Sequence, residues 1–193
     1  MFYNIVLFFI NIIFRIFFRI KIIGEFPKDE NERYIICSNH GNVLDPIFLA
    51  IAYDRQIHFM AKRELFNNKI LGNIFKGLNA FPVDRDGNDI SALKKSVKKL
   101  KNGNTLGIFI EGTRVDQYNP ENAKSGPILI ANMGNAKIIP VKIESNYKLF
   151  STVSIYIKDV YTVNKKELKE DNHNGYKNQA KKVLNIIYNG WYY

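Results

Sequence analysis

From Gly24 onward, short apolar runs that suit buried strands alternate with segments of helical period. Strands are expected at residues 21–26, 34–37, 57–60, 81–83, 105–110 and 137–143, with an alternating edge strand at 153–157. Helices are expected at 46–53, 68–76, 89–101, 127–133 and 176–188; in the third, Ile90, Leu93, Val97 and Leu100 share one face. The polar stretch 164–175 reads as a connection or a capped helix start. Such alternation predicts an α/β fold, one layered domain with a mostly parallel central sheet flanked by helices. With 193 residues, the chain is of single-domain size and can bury roughly 70% of its unfolded surface.

The run Tyr34-Ile35-Ile36-Cys37 leads directly into Ser38-Asn39-His40-Gly41-Asn42-Val43-Leu44-Asp45-Pro46. His40 and Asp45 are five positions apart, a spacing that no regular element can close. On a helix they stand about 140° apart at ~100° per residue; on a strand they face opposite sides. They meet only across a turn, and Gly41-Asn42 is turn chemistry. An imidazole held by a carboxylate is what a general base for a hydroxyl requires. Asp45-Pro46 also fits a helix start, with Asp as N-cap and Pro at the first helical position. The two roles of Asp45 are compatible, because a carboxylate has several acceptor sites. His40 alone also fits a satisfied buried histidine.

A second apolar run, residues 105–110, ends in Glu111-Gly112-Thr113-Arg114, and a third segment, Phe81-Pro82-Val83-Asp84-Arg85, again brings an arginine to a strand end. An arginine there can fork onto a phosphate, with Glu111 fixing the geometry of Arg114. Either arginine alone also reads as a solvated loop charge.

Taken together and in order, these segments resemble the glycerolipid acyltransferases typified by lysophosphatidic acid acyltransferase. The resemblance rests on His40 to Asp45, on Gly77 to Arg85, on Phe109-Ile110-Glu111-Gly112-Thr113-Arg114 and on Ile138-Ile139-Pro140-Val141, with Met60 to Leu65 and Lys124-Ser125-Gly126 as further matches. It covers about residues 20–145. Ile110 stands where the family has Pro, Val115 where it often has Ser, and Asn42 where Ser is common; none of these removes a titratable group.

The resemblance implies an O-acyltransferase that moves an acyl group from acyl-CoA or an acyl carrier protein to 1-acyl-glycerol-3-phosphate, with no other cofactor. His40 would be the base and Asp45 its orienting acid. Arg85 and Arg114 would clamp the phosphate, with Glu111 and the Gly112-Thr113 backbone shaping the cradle. Other lysolipids or glycerol 3-phosphate are alternative acceptors. No Gly-x-Ser-x-Gly elbow is present, so direct transfer in a ternary complex is expected.

A net charge of +10 requires a partner that is acidic somewhere. Residues 1–23 point to a membrane phospholipid surface. Asn4, Asn11, Arg15 and Arg19 fall within an arc of about 80° on a helical wheel, and the rest of the circumference is apolar. This describes an amphipathic helix lying in the interface, ahead of a catalytic domain at 24–193. A full span would place Arg15 in hydrocarbon, and a signal peptide would need a basic start and a small-residue cleavage site. Basic residues following the apolar stretch put the domain on the cytoplasmic face. A single cysteine, Cys37, excludes an internal disulfide. Lys94, Lys95, Lys98, Lys99 and Lys101 read as a solvated helix face, or as a contact for headgroups or carrier phosphates. His58 and His173 lack metal-ligand spacing, so no metal role is assigned. A nucleic-acid partner is not expected, because the aromatics are mostly Phe inside apolar runs. The remaining rival is a membrane-bound scaffold of the same fold without catalysis.

Overall fold

A computed structural model describes residues 2–67, 72, 73, 75, 77, 79–83, 90–171 and 174–190. Seven strands form one sheet: β1 (Arg19–Ile23), β2 (Tyr34–Ser38), β3 (Ile57–Lys62), β4 (Phe81–Val83), β5 (Thr105–Phe109), β6 (Lys137–Glu144) and β7 (Thr152–Ile157), in the order β1-β7-β6-β2-β5-β3-β4. Every neighbouring pair is parallel except β6 and β7, which form an antiparallel hairpin. The described helices are α1 (Phe2–Phe17), α2 (Asp45–Ala52), α3 (Ile90–Lys101), α4 (Gly126–Gly134), α5 (Lys165–Glu170) and α6 (Gly175–Asn189). The architecture is α/β with a mostly parallel sheet covered on both faces, as the alternation of segments predicts.

The central strand shows why. All five residues of β2 are buried, the behaviour of a parallel strand covered on both sides. Ile35 and Cys37 point into one core with α3, α4 and α6, while Tyr34 and Ile36 point into the other with α1 and α2. Gly107 of β5 lets the two neighbouring layers close: a Cβ there would sit 2.5 Å from Phe59 Cε1.

Three expectations change. Residues 1–23 do not form one helix: α1 ends at Phe17, and Arg19 opens β1, which pairs with β7 in parallel. The strand expected at 21–26 therefore begins two residues earlier, and Arg19 leaves the polar stripe of the helix. β7 is not an edge strand, since β1 covers its outer side. Its alternation reports that only one of its faces is buried, which says nothing about whether its edge is paired. The helix expected at 68–76 falls largely outside the described residues, as do Asp84, Arg85 and His173 and the side chain of Asn4. In the polar stretch, α5 is indeed capped: the Asn164 side chain accepts from the N–H groups of Lys166 and Glu167.

Candidate active site

Parallel strands deliver their C-terminal loops to one end of the sheet, and neighbouring strands β2 and β5 bring two loops into contact there. The loop after β2 carries His40, and the loop after β5 carries Glu111 to Arg114. They are stitched together through the main chain: Ile110 N–H donates to Ser38 O at 3.1 Å and Val115 N–H to His40 O at 2.8 Å. Asn39 ties the first loop to β6 as well, exchanging both amide groups with the backbone of Ile143 at 2.9 and 2.8 Å.

His40 and Asp45 meet across the turn. Nδ1 of His40 lies 3.0 Å from Oδ2 of Asp45. Asp45 is fully buried, and the same oxygen accepts from Gly41 N–H at 2.8 Å and Asn42 N–H at 2.7 Å. Its other oxygen accepts from the Tyr147 hydroxyl at 2.7 Å. A buried carboxylate is tolerable only when its lone pairs are taken in this way. Asp45 does not cap its own helix by side chain; the carboxylate turns back into the loop, and Asn42 Oδ1 accepts from Leu44 N–H instead. The hydrogen bond to Asp45 requires the proton on Nδ1, which leaves the Nε2 lone pair of the neutral ring free. No described residue bonds to Nε2. The ring itself lies flat on Phe109, 4.0 Å between centroids at 17°.

Glu111 is buried behind the histidine. One oxygen accepts from His40 N–H and the other from the Tyr188 hydroxyl, each at 3.0 Å. Burial pushes its carboxyl above the ordinary carboxylate range, against the lowering effect of those two bonds. It thus braces the His40 segment rather than Arg114, which the sequence reading set beside it. Burial and the neighbouring carboxylates raise the hydroxyls of Tyr147 and Tyr188, so both remain protonated donors. Neither tyrosine is singled out by any sequence motif, and neither is near its partner in sequence.

Gly112 has φ of 72°, a left-handed turn that favours glycine, and the alkyl arm of Lys124 crosses it, with Cγ 3.2 Å from where a Cβ would stand. Thr113 and Arg114 are exposed on this turn. No described carboxylate pairs with Arg114. Arg85 lies outside the described residues. His58 belongs to a separate cluster, its Nδ1 2.9 Å from Lys99 Nζ, and burial lowers its pKa. Among the described residues no three His, Cys, Asp or Glu side chains gather as a metal site.

The arrangement is an oriented base on one loop beside an exposed arginine, Arg114, on the next, at the sheet end where such folds hold ligands. A protein of Bacillus subtilis (strain 168) named 1-acyl-sn-glycerol-3-phosphate acyltransferase is 41% identical over 115 residues, which is 59% of this chain and 56% of that protein. One of the same name from Streptococcus pneumoniae is 36% identical, over 58% of this chain and 42% of the relative. The chain thus spans about half the length of these relatives. The crystal structure of the 1-acyl-sn-glycerophosphate (LPA) acyltransferase PlsC from Thermotoga maritima superposes with a TM-score of 0.66 at 21% identity, covering 99% of this chain and 83% of that one, and so shares its fold. The family model described as Acyltransferase matches residues 19–144, the stretch that holds both loops of the site, and the chain belongs to that family.

Proposed function

We propose that the protein transfers a fatty acyl group from an acyl thioester, acyl-CoA or an acyl carrier protein, to the free hydroxyl of 1-acyl-glycerol-3-phosphate, making phosphatidic acid at a membrane surface. The observation that carries this reading is the 3.0 Å contact of His40 Nδ1 with buried Asp45, which turns Nε2 outward as a base. The names of the relatives support the choice of acceptor.

A glycerol hydroxyl is a poor nucleophile near neutral pH. Nε2 takes its proton as the oxygen attacks the thioester carbonyl, and Asp45 stabilises the imidazolium that forms. Collapse of the tetrahedral intermediate breaks the C–S bond, and the imidazolium returns the proton to the departing thiolate. A covalent acyl-enzyme is not needed. Cys37, the single cysteine of the sequence, is fully buried with its thiol pKa pushed up by burial, so it is no nucleophile. Arg114 holds the acceptor's phosphate beside the base, with Arg85 as a second cation and the Gly112-Thr113 turn as the floor. Orientation of hydroxyl and thioester supplies much of the rate enhancement.

The membrane surface enters through α1. One side of this helix packs on the domain, with Phe14 and Phe18 against Phe48. The other side exposes Phe8, Phe9, Ile12, Ile13 and Ile16, each at 44–61%. A contiguous apolar face of this kind on a basic protein suits the bilayer interface. No helix among the described residues is long and apolar enough to cross a membrane. Peripheral attachment on the cytoplasmic face is the placement that fits.

The test is thiol release from acyl-CoA and from acyl carrier protein against lysophosphatidic acid, glycerol 3-phosphate and other lysolipids, with products read by lipid mass spectrometry. Phosphatidic acid is expected with the first acceptor, and His40→Ala should abolish it without unfolding the chain. Turnover by His40→Ala at the wild-type rate would overturn the reading, as would no thiol release from either donor.

A further inference from the structure

The β6–β7 loop, residues 145–151, joins two parts of the molecule that are otherwise separate. Near its start, Tyr147 donates its hydroxyl to Asp45 Oδ1 at 2.7 Å. Two and three residues later, Leu149 and Phe150 stand 65% and 64% exposed. Tyr147 and Phe150 both have left-handed backbones, φ 55° and 64°, which bulky residues hold only where their surroundings fix them. Part of the fixing comes from α1. Phe150 N–H donates to Phe17 O at 2.6 Å, Arg19 N–H donates to Ser151 O at 2.9 Å, and the Phe17 and Phe150 rings lie 6.2 Å apart. The exposed pair therefore continues the outward apolar face of α1.

We infer that this loop is a second contact with an anionic bilayer, and that its seating there holds Tyr147 against Asp45, so that membrane engagement sets the base. The inference rests on the acyl transfer proposed above. The charge around the patch selects lipid over a protein partner. No acidic residue occurs in 1–24 or in 145–151. Arg15, Arg19, Lys21 and Lys148 are exposed around the patch, and none pairs with a described carboxylate. Apolar side chains beside these cations, with the neighbouring exposed Glu144 paired to Lys142 at 3.7 Å, match acyl chains beneath phosphate headgroups.

Tyr147 is a positioning residue: it touches Asp45, and Asp45 touches the base. When the loop lifts, Oδ1 loses its described donor, and the carboxylate that holds the His40 ring through Oδ2 is less firmly fixed. The free loop thus corresponds to a poorly oriented base, and the seated loop to a competent one.

The experiment uses the full chain with vesicles of phosphatidylcholine, with or without phosphatidylglycerol, and lysophosphatidic acid presented either in those vesicles or in detergent micelles. The double variant Leu149→Asp/Phe150→Asp should bind phosphatidylglycerol vesicles at least about tenfold more weakly, since two buried apolar side chains are lost. It should lose turnover there and, in micelles, where attachment to a vesicle is not needed, keep only the lowered kcat expected of Tyr147→Phe, because its loop is not seated. Tyr147→Phe should bind vesicles like wild type, with kcat lowered about tenfold and KM unchanged. Wild-type sedimentation of the double variant overturns the bilayer contact. A wild-type kcat for Tyr147→Phe overturns the coupling. If the wild-type chain turns over in neither presentation, the acyl-transfer reading fails and the coupling with it, while sedimentation still decides the contact.

Discussion

Glu111 shows how much of the site is made by residues buried behind the histidine. Its carboxylate spans a main-chain N–H of His40 and the hydroxyl of Tyr188, and burial raises its pKa. An acid raised on folding binds its proton more tightly in the native state. Its contribution to stability is complete below the unfolded value, near about 4.3, and is lost as pH rises through the higher folded value. Glutamine can take the same place: its oxygen accepts from His40 N–H and its NH2 donates to the tyrosine oxygen. Glu111→Gln is therefore expected to fold, with a flatter pH dependence of stability than wild type from about pH 4 upward. Glu111→Ala leaves the His40 N–H without an acceptor and should cost about 1–3 kcal/mol. Urea unfolding of the three proteins across that range checks both statements, and equal pH slopes for wild type and Glu111→Gln would refute the first.

At the level of elements, the site is carried by stacked rings as much as by loops. Phe59 of β3 stacks on Phe109 of β5 at 6.3 Å and 11°, and Phe109 carries the His40 ring. Gly107 gives Phe59 its room, since a Cβ would approach Phe59 to 2.5 Å and Ile57 Cγ2 to 2.7 Å. Gly107→Ala should cost roughly 1–3 kcal/mol and reduce acyl transfer by tilting this stack. An unchanged urea midpoint would mean that the phenyl ring has space to retreat. The strands around this stack were legible because each is a continuous apolar run closed by turn residues. The start of β1 was not: no Gly or Pro marks Phe18, and what makes a strand begin at Arg19 is the open edge of β7, more than a hundred residues away. The same reason divides the site. His40, Asp45 and the Glu111-Gly112-Thr113-Arg114 turn declare themselves through local spacing. Tyr147 and Tyr188 act on partners 102 and 77 positions distant, from segments with no pattern of their own. The capping role also read for Asp45 is not taken up, because its carboxylate is fully used inside the loop and no helix N–H reaches it.

Across the whole molecule, the positive charge divides between two faces of the sheet. α1 packs on the core that contains Phe48 and Ile36, whereas Ala92, Val97 and Leu100 of α3 pack on the core of Ile35 and Cys37. A bilayer that receives the outward face of α1 meets Arg15, Arg19 and Lys21, and the exposed Lys94, Lys95, Lys98 and Lys101 then lie on the far side. If formal charge alone governed attachment, either cluster would serve equally. With the apolar face fixing orientation, only the first cluster lies within a Debye length of the headgroups, about 10 Å at moderate salt. Each cation near an anionic surface contributes about 1 kcal/mol, or roughly fivefold in affinity. Arg15→Gln/Arg19→Gln should therefore weaken binding to phosphatidylglycerol vesicles by roughly 30-fold and flatten its salt dependence. Lys94→Gln/Lys98→Gln should change neither, although it removes the same formal charge. Sedimentation of both double variants over a salt series distinguishes the cases, because equal losses from the two pairs would mean that the protein binds by net charge and has no fixed orientation on the membrane.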